Sequence, residues 1–261
     1  MVAITGFNKE QIFAAVKDMY TDVATRPKFP YHFPVGLEAL QGVGYTDELL
    51  ESIPDQAKES FAGVACPFNA KIIKPGDIVL DIGAGSGTDT FIASRLVGKS
   101  GKVYALDMTT AMLEKHRKLM QENSFDNIES LEGNAEDIPL PDECVDVATS
   151  NGVINLVPDK SQVAKEIFRV LKPGGKVQIA DIVVKTPFSE DCTSDPKLWA
   201  ECVVGATIDD QYKTLFLEAG FVNYEVLRSY DYFSLSRSQN TQNIAGKFGA
   251  YATELVMQKP G

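Results

Sequence analysis

Basic residues are scarce in this chain: 25 Lys and Arg stand against 36 Asp and Glu, a net charge of -11. A surface of that sign repels nucleic acid and anionic membranes, so neither is an expected partner and a small molecule or a protein is. Long hydrophobic runs are also missing. No apolar stretch approaches the roughly 18 residues of a membrane span, and the opening MVAITGFNKE has neither the basic start nor the long apolar run of a signal peptide, so a cytoplasmic location is expected. The 4 cysteines, Cys66, Cys144, Cys192 and Cys202, are far apart and include no CxxC pair, which excludes a disulfide scaffold and a zinc ribbon. No bound metal is expected. There is no internal repeat or low-complexity tract, and no GxSxG or HExxH. A phosphate-cradling loop ending in Gly98-Lys99-Ser100 would need a glycine where Ala93 stands.

With 261 residues the chain is long enough for one large α/β domain carrying an added cap. Residues 1–74 read as that cap. Asn8 and Gln11 resemble a capping box, and Ile12, Phe13, Val16, Met19 and Tyr20 share one helical face. Pro27, Pro30 and Pro34 then forbid a regular helix, and a helical pattern returns from Gly44 until Pro67.

From residue 75 the pattern becomes strands alternating with helices, the signature of a doubly wound, mostly parallel sheet. DIVLDIG feeds a helix bearing Phe91, Ile92, Arg95 and Leu96, and GKVYALDM feeds a helix from about 109 to 122, on which His116 reads as part of a solvated face. NIESLEG and CVDVATS are the next strands; the helix SQVAKEIFRVLKPGG is stopped by Pro173, Gly174 and Gly175, and KVQIADIVV follows. Residues 186–220 read as two short helices ending at Gly220. FVNYEVLRSYDYFSL and YATELVMQK complete a seven-stranded sheet with an antiparallel C-terminal strand.

The chemistry starts in VLDIGAGSGTDT, where Gly83, Gly85 and Gly87 let backbone approach a ligand at a helix N-terminus. Thr88 stands where a dinucleotide fingerprint would have its last glycine, which disfavours NAD. Asp107, ending the second strand, either caps the next helix or accepts the hydroxyls of a ribose; its register with the glycine loop favours the ribose. Asn134, Ala135, Glu136 and Asp137 end the third strand, as an adenine contact or as a solvated turn.

VLDIGAGSG, ALDMT, GNAEDIPLPDECVDVATSNGVINL and EIFRVLKPGGKVQIAD occur in the order that resembles the class I S-adenosylmethionine-dependent methyltransferases. The resemblance implies a Rossmann-like α/β core over residues 75–261 with S-adenosyl-L-methionine as cofactor. Carried to matching positions, it implies Asp81, Gly83, Ala84, Gly85 and Gly87 around the methionine part and Asp107 on the ribose. Ala135 and Glu136 would lie beside the adenine, Ser150 and Asn151 on the sulfonium side, with Met108 and Asn134 as further contacts. A narrower resemblance, through SNGVINLVPDK, DPKLWAECVVGA and LEAGF, is to the arsenite methyltransferases. These hold trivalent arsenic on soft thiolates. It puts Cys66 and Cys202 at two ligand positions, while Gly152 stands where a third cysteine is expected.

Each catalytic candidate has a plainer alternative. Cys66 and Cys202 are acceptor ligands or packed thiols; His32 is a base or a packed imidazole among aromatics. Asn151 is the remaining catalytic candidate. Tyr20, Tyr31 and Phe33 either wall the acceptor pocket or stitch the cap to the core. For a hydroxyl acceptor the base would be His32, Tyr20 or Glu201; a thiolate or arsenic lone pair needs none. Three readings result: methylation of arsenite, methylation of a small organic O, N, S or C nucleophile, and a non-catalytic cofactor-binding partner subunit. The segment 186–220 is expected to close the acceptor side.

Overall fold

The computed structural model describes residues 9–187, 199 and 204–261. Its centre is a sheet of β1 (Ile78–Ile82), β2 (Lys102–Asp107), β3 (Ile128–Glu132), β4 (Val145–Asn151), β5 (Leu171–Val184), β6 (Thr207–Ile208), β7 (Val222–Tyr230) and β8 (Tyr251–Gln258). The strand order is β3-β2-β1-β4-β5-β8-β7, with β6 pairing β5. Strands β1 to β6 run parallel, and β8 is antiparallel to both β5 and β7. Among the described residues the sheet therefore has eight strands instead of seven: β6 is two residues long, too short to leave an alternating pattern.

Before the sheet come α1 (Lys9–Thr25), α2 (Leu37–Val43), α3 (Asp47–Leu50) and α4 (Asp55–Glu59). The stretch around Pro27, Pro30 and Pro34 forms no helix, as proline geometry requires. The expected helical stretch after Gly44 is two short helices. The Thr46 hydroxyl caps α3 by accepting from Leu49 N at 3.3 Å, and Pro54 stands at the start of α4.

The crossover helices are α5 (Thr88–Val97), α6 (Thr110–Glu122) and α7 (Lys160–Val170). Helix α7 stops short of the Gly174-Gly175 pair. The position before a proline disfavours helix, and Leu171 already pairs with Val145 as the first residue of β5. Helix α8 (Asp209–Ala219) ends as expected at Gly220, whose N–H returns to the carbonyls of Phe216 and Leu217. The tail departs further: β7 ends at Tyr230, Asp231 caps a 3-10 turn over Tyr232–Leu235, and α9 (Gln239–Phe248) precedes β8. The first of the two short helices expected in 186–220 lies outside the described residues.

Alternation along β1 sends Val79 to one core and Leu80 to the other, one on each face of the sheet. Leu40, Val43, Tyr45 and Phe61 of the N-terminal segment share the first of these cores with Val79, Phe91 and Ala180. Each Leu, Val or Phe among these contributes about 1.5–3 kcal/mol on burial. His116 is not on a solvated face: it is fully buried, its ring centroid 5.2 Å from that of Phe91 and its Nδ1 3.0 Å from Ser130 Oγ.

Candidate active site

The order 3-2-1 followed by 4-5 makes the gap between β1 and β4 the topological switch point, where adjacent crossovers leave to opposite faces and open a crevice at the strand ends. A cleft lies there, enclosing about 930 Å³ of space with open solvent at its mouth included. That is the size range of small-molecule sites.

One wall is the turn after β1. Gly83, Ala84 and Gly85 line the cleft. Gly83 has φ 74, and a Cβ there would stand 2.1 Å from Val153 Cγ2, so only glycine lets the loop and the end of β4 approach. Asp107 forms the next part of the wall. Its Oδ2 accepts from Gly85 N at 2.8 Å and its Oδ1 from Thr109 N at 2.7 Å; burial raises its pKa against these bonds, which lower it. Met108, Asn134 and Ala135 continue the lining. The far wall is Asn151, Gly152 and Val153, and the roof is Phe13, Val16 and Tyr20 of α1 with Leu156.

Several expected residues do not face this space. Asp81 sits behind the glycine turn, accepting from Thr90 Oγ1 at 2.5 Å, and burial together with neighbouring Asp89 raises its pKa. Gly87 is covered by His116 and Phe91. The Glu136 carboxylate turns away to take Asp159 N at 2.8 Å and the ammonium of Lys9. Ser150 is buried in the sheet between Ile82 and Ile179, away from the lining. His32 is not in the lining either; its ring packs edge-on against Phe33, and its carbonyl accepts from Ser236 Oγ. Tyr31 and Phe33 line a separate groove with Pro27, Phe29 and Pro34.

Cys66 is a packed thiol. It is fully buried in the core shared by the N-terminal segment and the sheet, and burial, then the negative charge of Asp89, pushes its pKa up to about 12. Cys202, Glu201 and Cys192 lie outside the described residues. Cys144 is half-buried against the second core, away from the cleft. Among the described residues no His, Cys, Asp and Glu group of metal-binding arrangement occurs.

Asn151 is a hub. Its Oδ1 accepts from Val64 N at 2.8 Å and Ala65 N at 3.3 Å, and its Nδ2 reaches Ala65 O at 2.9 Å, Tyr45 Oη at 3.0 Å and Asp89 Oδ2 at 3.0 Å. Thus the end of β4 holds the loop whose Phe61, Ala62 and Gly63 line the cleft. Gly152 beside it has φ 71, and a Cβ there would meet Val64 Cγ1 at 3.2 Å. A cysteine at this position would carry left-handed strain and press on Val64.

Sequence reading missed Asp89, Thr88 as a wall residue, Tyr45 and the Phe61–Gly63 loop. Asp89 left a faint signal, an acid in the first turn of the helix after the glycine loop. Tyr45 left none, since its partners come from two distant segments.

Sheet order, glycine turn and cleft together define a Rossmann-like fold of the class I methyltransferase type. Residues 73–220 match the family model described as a methyltransferase domain. The chain belongs to this family. It is 39% identical over 186 residues to an arsenite methyltransferase of Halobacterium salinarum, covering 70% of this chain and 47% of that protein. It is 38% identical over 109 residues to the ubiquinone/menaquinone biosynthesis C-methyltransferase of Vibrio campbellii, covering 41% of this chain and 42% of that protein. The crystal structure of an arsenic (III) S-adenosylmethionine methyltransferase from Chlamydomonas reinhardtii superposes with TM-score 0.69 at 29% identity, over 82% of this chain and 73% of that one. The chain spans about half the length of the curated relatives it matches.

Proposed function

We propose that this chain binds S-adenosylmethionine in the cleft between β1 and β4 and directs its methyl group to a small acceptor. Asp107 carries the reading. Each of its oxygens accepts one backbone N–H, from Gly85 or Thr109, which leaves acceptor capacity on a rigid carboxylate for the two hydroxyls of a ribose. Gly85 beside it is open: a Cβ there would have no atom nearer than Met112 Sδ at 3.9 Å. Backbone can therefore pass close to the donor. Asn134, Ala135 and Met108 offer the adenine a mixed polar and apolar wall.

The cofactor supplies a methyl group already activated on a cationic sulfur, so the protein forms no covalent intermediate. Its residues align and desolvate. Phe13, Val16 and Leu156 keep water out, and Asn151 holds the Phe61–Gly63 loop against the reacting side.

For the acceptor, the likeness to arsenite methyltransferases supports trivalent arsenic, with Cys202 the remaining candidate thiol. A second reading, a small organic nucleophile, is favoured by a specific observation: among the described residues no cysteine lines the cleft, Cys66 being turned into the core and Gly152 standing opposite Val64. Incubation with S-adenosylmethionine, arsenite and excess thiol, scored for S-adenosylhomocysteine and methylated arsenic, tests the pair. Methylated arsenic that disappears in Cys202→Ser supports the arsenic reading. Calorimetric donor binding with no arsenic product supports the organic one, and absence of donor binding overturns both.

A further inference from the structure

Three carboxylates lie in or just behind one wall of the cleft, and no cation among the described residues matches them. Asp81, Asp89 and Asp107 are 2%, 7% and 9% exposed. Among the described residues none of the three forms an ion pair. Buried charge is costly unless something of opposite sign meets it. Asp81 is behind the glycine turn, and Asp107 is held by two backbone N–H groups. Asp89 faces the cleft from the first turn of α5.

Its oxygens are fixed by two neutral donors. Oδ1 accepts the Tyr45 hydroxyl at 2.5 Å, and Oδ2 accepts Asn151 Nδ2 at 3.0 Å. These bonds favour the ionised form, while burial opposes it and raises the pKa. Neither donor cancels the charge. Through Asn151 the carboxylate is tied to the end of β4, on the acceptor side of the cleft.

An independent observation marks the same wall as incomplete. Thr88, next to Asp89, is 3% exposed and lines the cleft, yet its hydroxyl has no hydrogen-bond partner among the described residues. Buried hydroxyls are ordinarily partnered, so a ligand atom belongs there.

We propose that Asp89 is the counter-charge of the methyl donor, set by Tyr45 and Asn151 to face its sulfonium, with the Thr88 hydroxyl bonding the donor beside it. The assignment rests on the donor reading above. It has a consequence for turnover. When the methyl–sulfur bond breaks, the methyl group joins the acceptor's lone pair and the bonding electrons stay on sulfur. The sulfonium becomes a neutral thioether and Asp89 loses its partner, so spent cofactor is held less firmly than fresh.

Isothermal titration of the full chain with S-adenosylmethionine and, separately, S-adenosylhomocysteine tests this. Asp89→Asn should weaken S-adenosylmethionine about tenfold, the scale of one partly screened charge pair, and S-adenosylhomocysteine by less than about twofold. Parallel losses for both ligands, or unchanged S-adenosylmethionine affinity, overturn the assignment. A wild-type protein that binds neither ligand overturns the donor reading itself. Should Asp89→Asn fail to fold, the wild type is compared at about pH 7 and about pH 5. The titratable groups facing Asp89 are Asp81 from β1, with Asp107 beyond it, and Tyr45 and Cys66 from the N-terminal segment. Between about pH 5 and about pH 7 both ligands keep an ammonium and an ionised carboxylate, so their own titration leaves the ratio of their affinities unchanged. That ratio should fall toward one in acid; a ratio independent of pH overturns the proposal.

Discussion

Asp107 and Gly152 illustrate how much depends on a single position in this molecule. Asp107→Ala removes the acceptor for two backbone N–H groups and, on the proposed function, for the ribose, so donor affinity should fall by at least about tenfold in calorimetry; loss of a charge-assisted bond is worth about 1.5–3 kcal/mol. Gly152→Ala should cost roughly 1–2 kcal/mol, read as a lower urea midpoint at unchanged slope, because L-residues pay about that much for left-handed backbone. His116 sets a pH dependence of known sign. Burial, with Arg117 adding to it, lowers its pKa to about 4 from 6.5. The native state therefore binds fewer protons than the unfolded state in that window, and this residue's contribution to stability is present above about pH 6.5 and lost as pH falls toward about 4. His116→Gln should flatten the stability profile there, measured as the difference from wild type. That difference isolates His116 from Asp81 and Asp89, whose raised pKa values give the opposite slope.

At the scale of elements, α1 is the roof, and its hold on the rest is testable. Its Lys9 pairs with the Glu136 carboxylate, which also takes Asp159 N, so one buried acid ties the roof to the turns after β3 and before α7. The lysine is half exposed and the pair correspondingly screened. Lys9→Ala should reduce amide protection in α1 severalfold in hydrogen exchange, with little change in β1 or β4. Equal loss across the sheet would mean that the ion pair supports the whole fold and not the roof. Elements also mark where sequence reading succeeded and failed. The strands β1, β2, β4 and β5 were legible because apolar runs ending in glycine or aspartate have few other uses. The helix α9 was not: SLSRSQNTQNIAGKFG carries few apolar residues, and it is helical because Ser238 caps it and Ala245 packs into the core. Helix α7 ends before the expected stop since Pro173 acts on the residues before it, while Gly174 and Gly175 lie inside β5.

On the scale of the whole molecule, the N-terminal segment and the sheet share one hydrophobic core, with Tyr45, Phe61 and Phe91 in common contact clusters. Urea unfolding should therefore be a single transition, with fluorescence of the one tryptophan, Trp199, and far-UV circular dichroism tracing the same curve. Two separated transitions would show that the cap unfolds on its own. Class, sheet direction and the position of the cleft follow from local information: the period of apolar residues, the glycines at the strand end and an aspartate at the next one act within a few residues of themselves. Which side chains face the cleft does not. Asp81 and Glu136 sit in motifs that resemble ligand contacts yet turn elsewhere, while Asp89 becomes a wall residue through Tyr45 and Asn151, 44 and 62 residues distant in sequence. The burial of Cys66, the covering of His116 and the uncompensated charge at Asp89 are decided by long-range packing, because burial and pairing depend on partners that only the folded chain brings together.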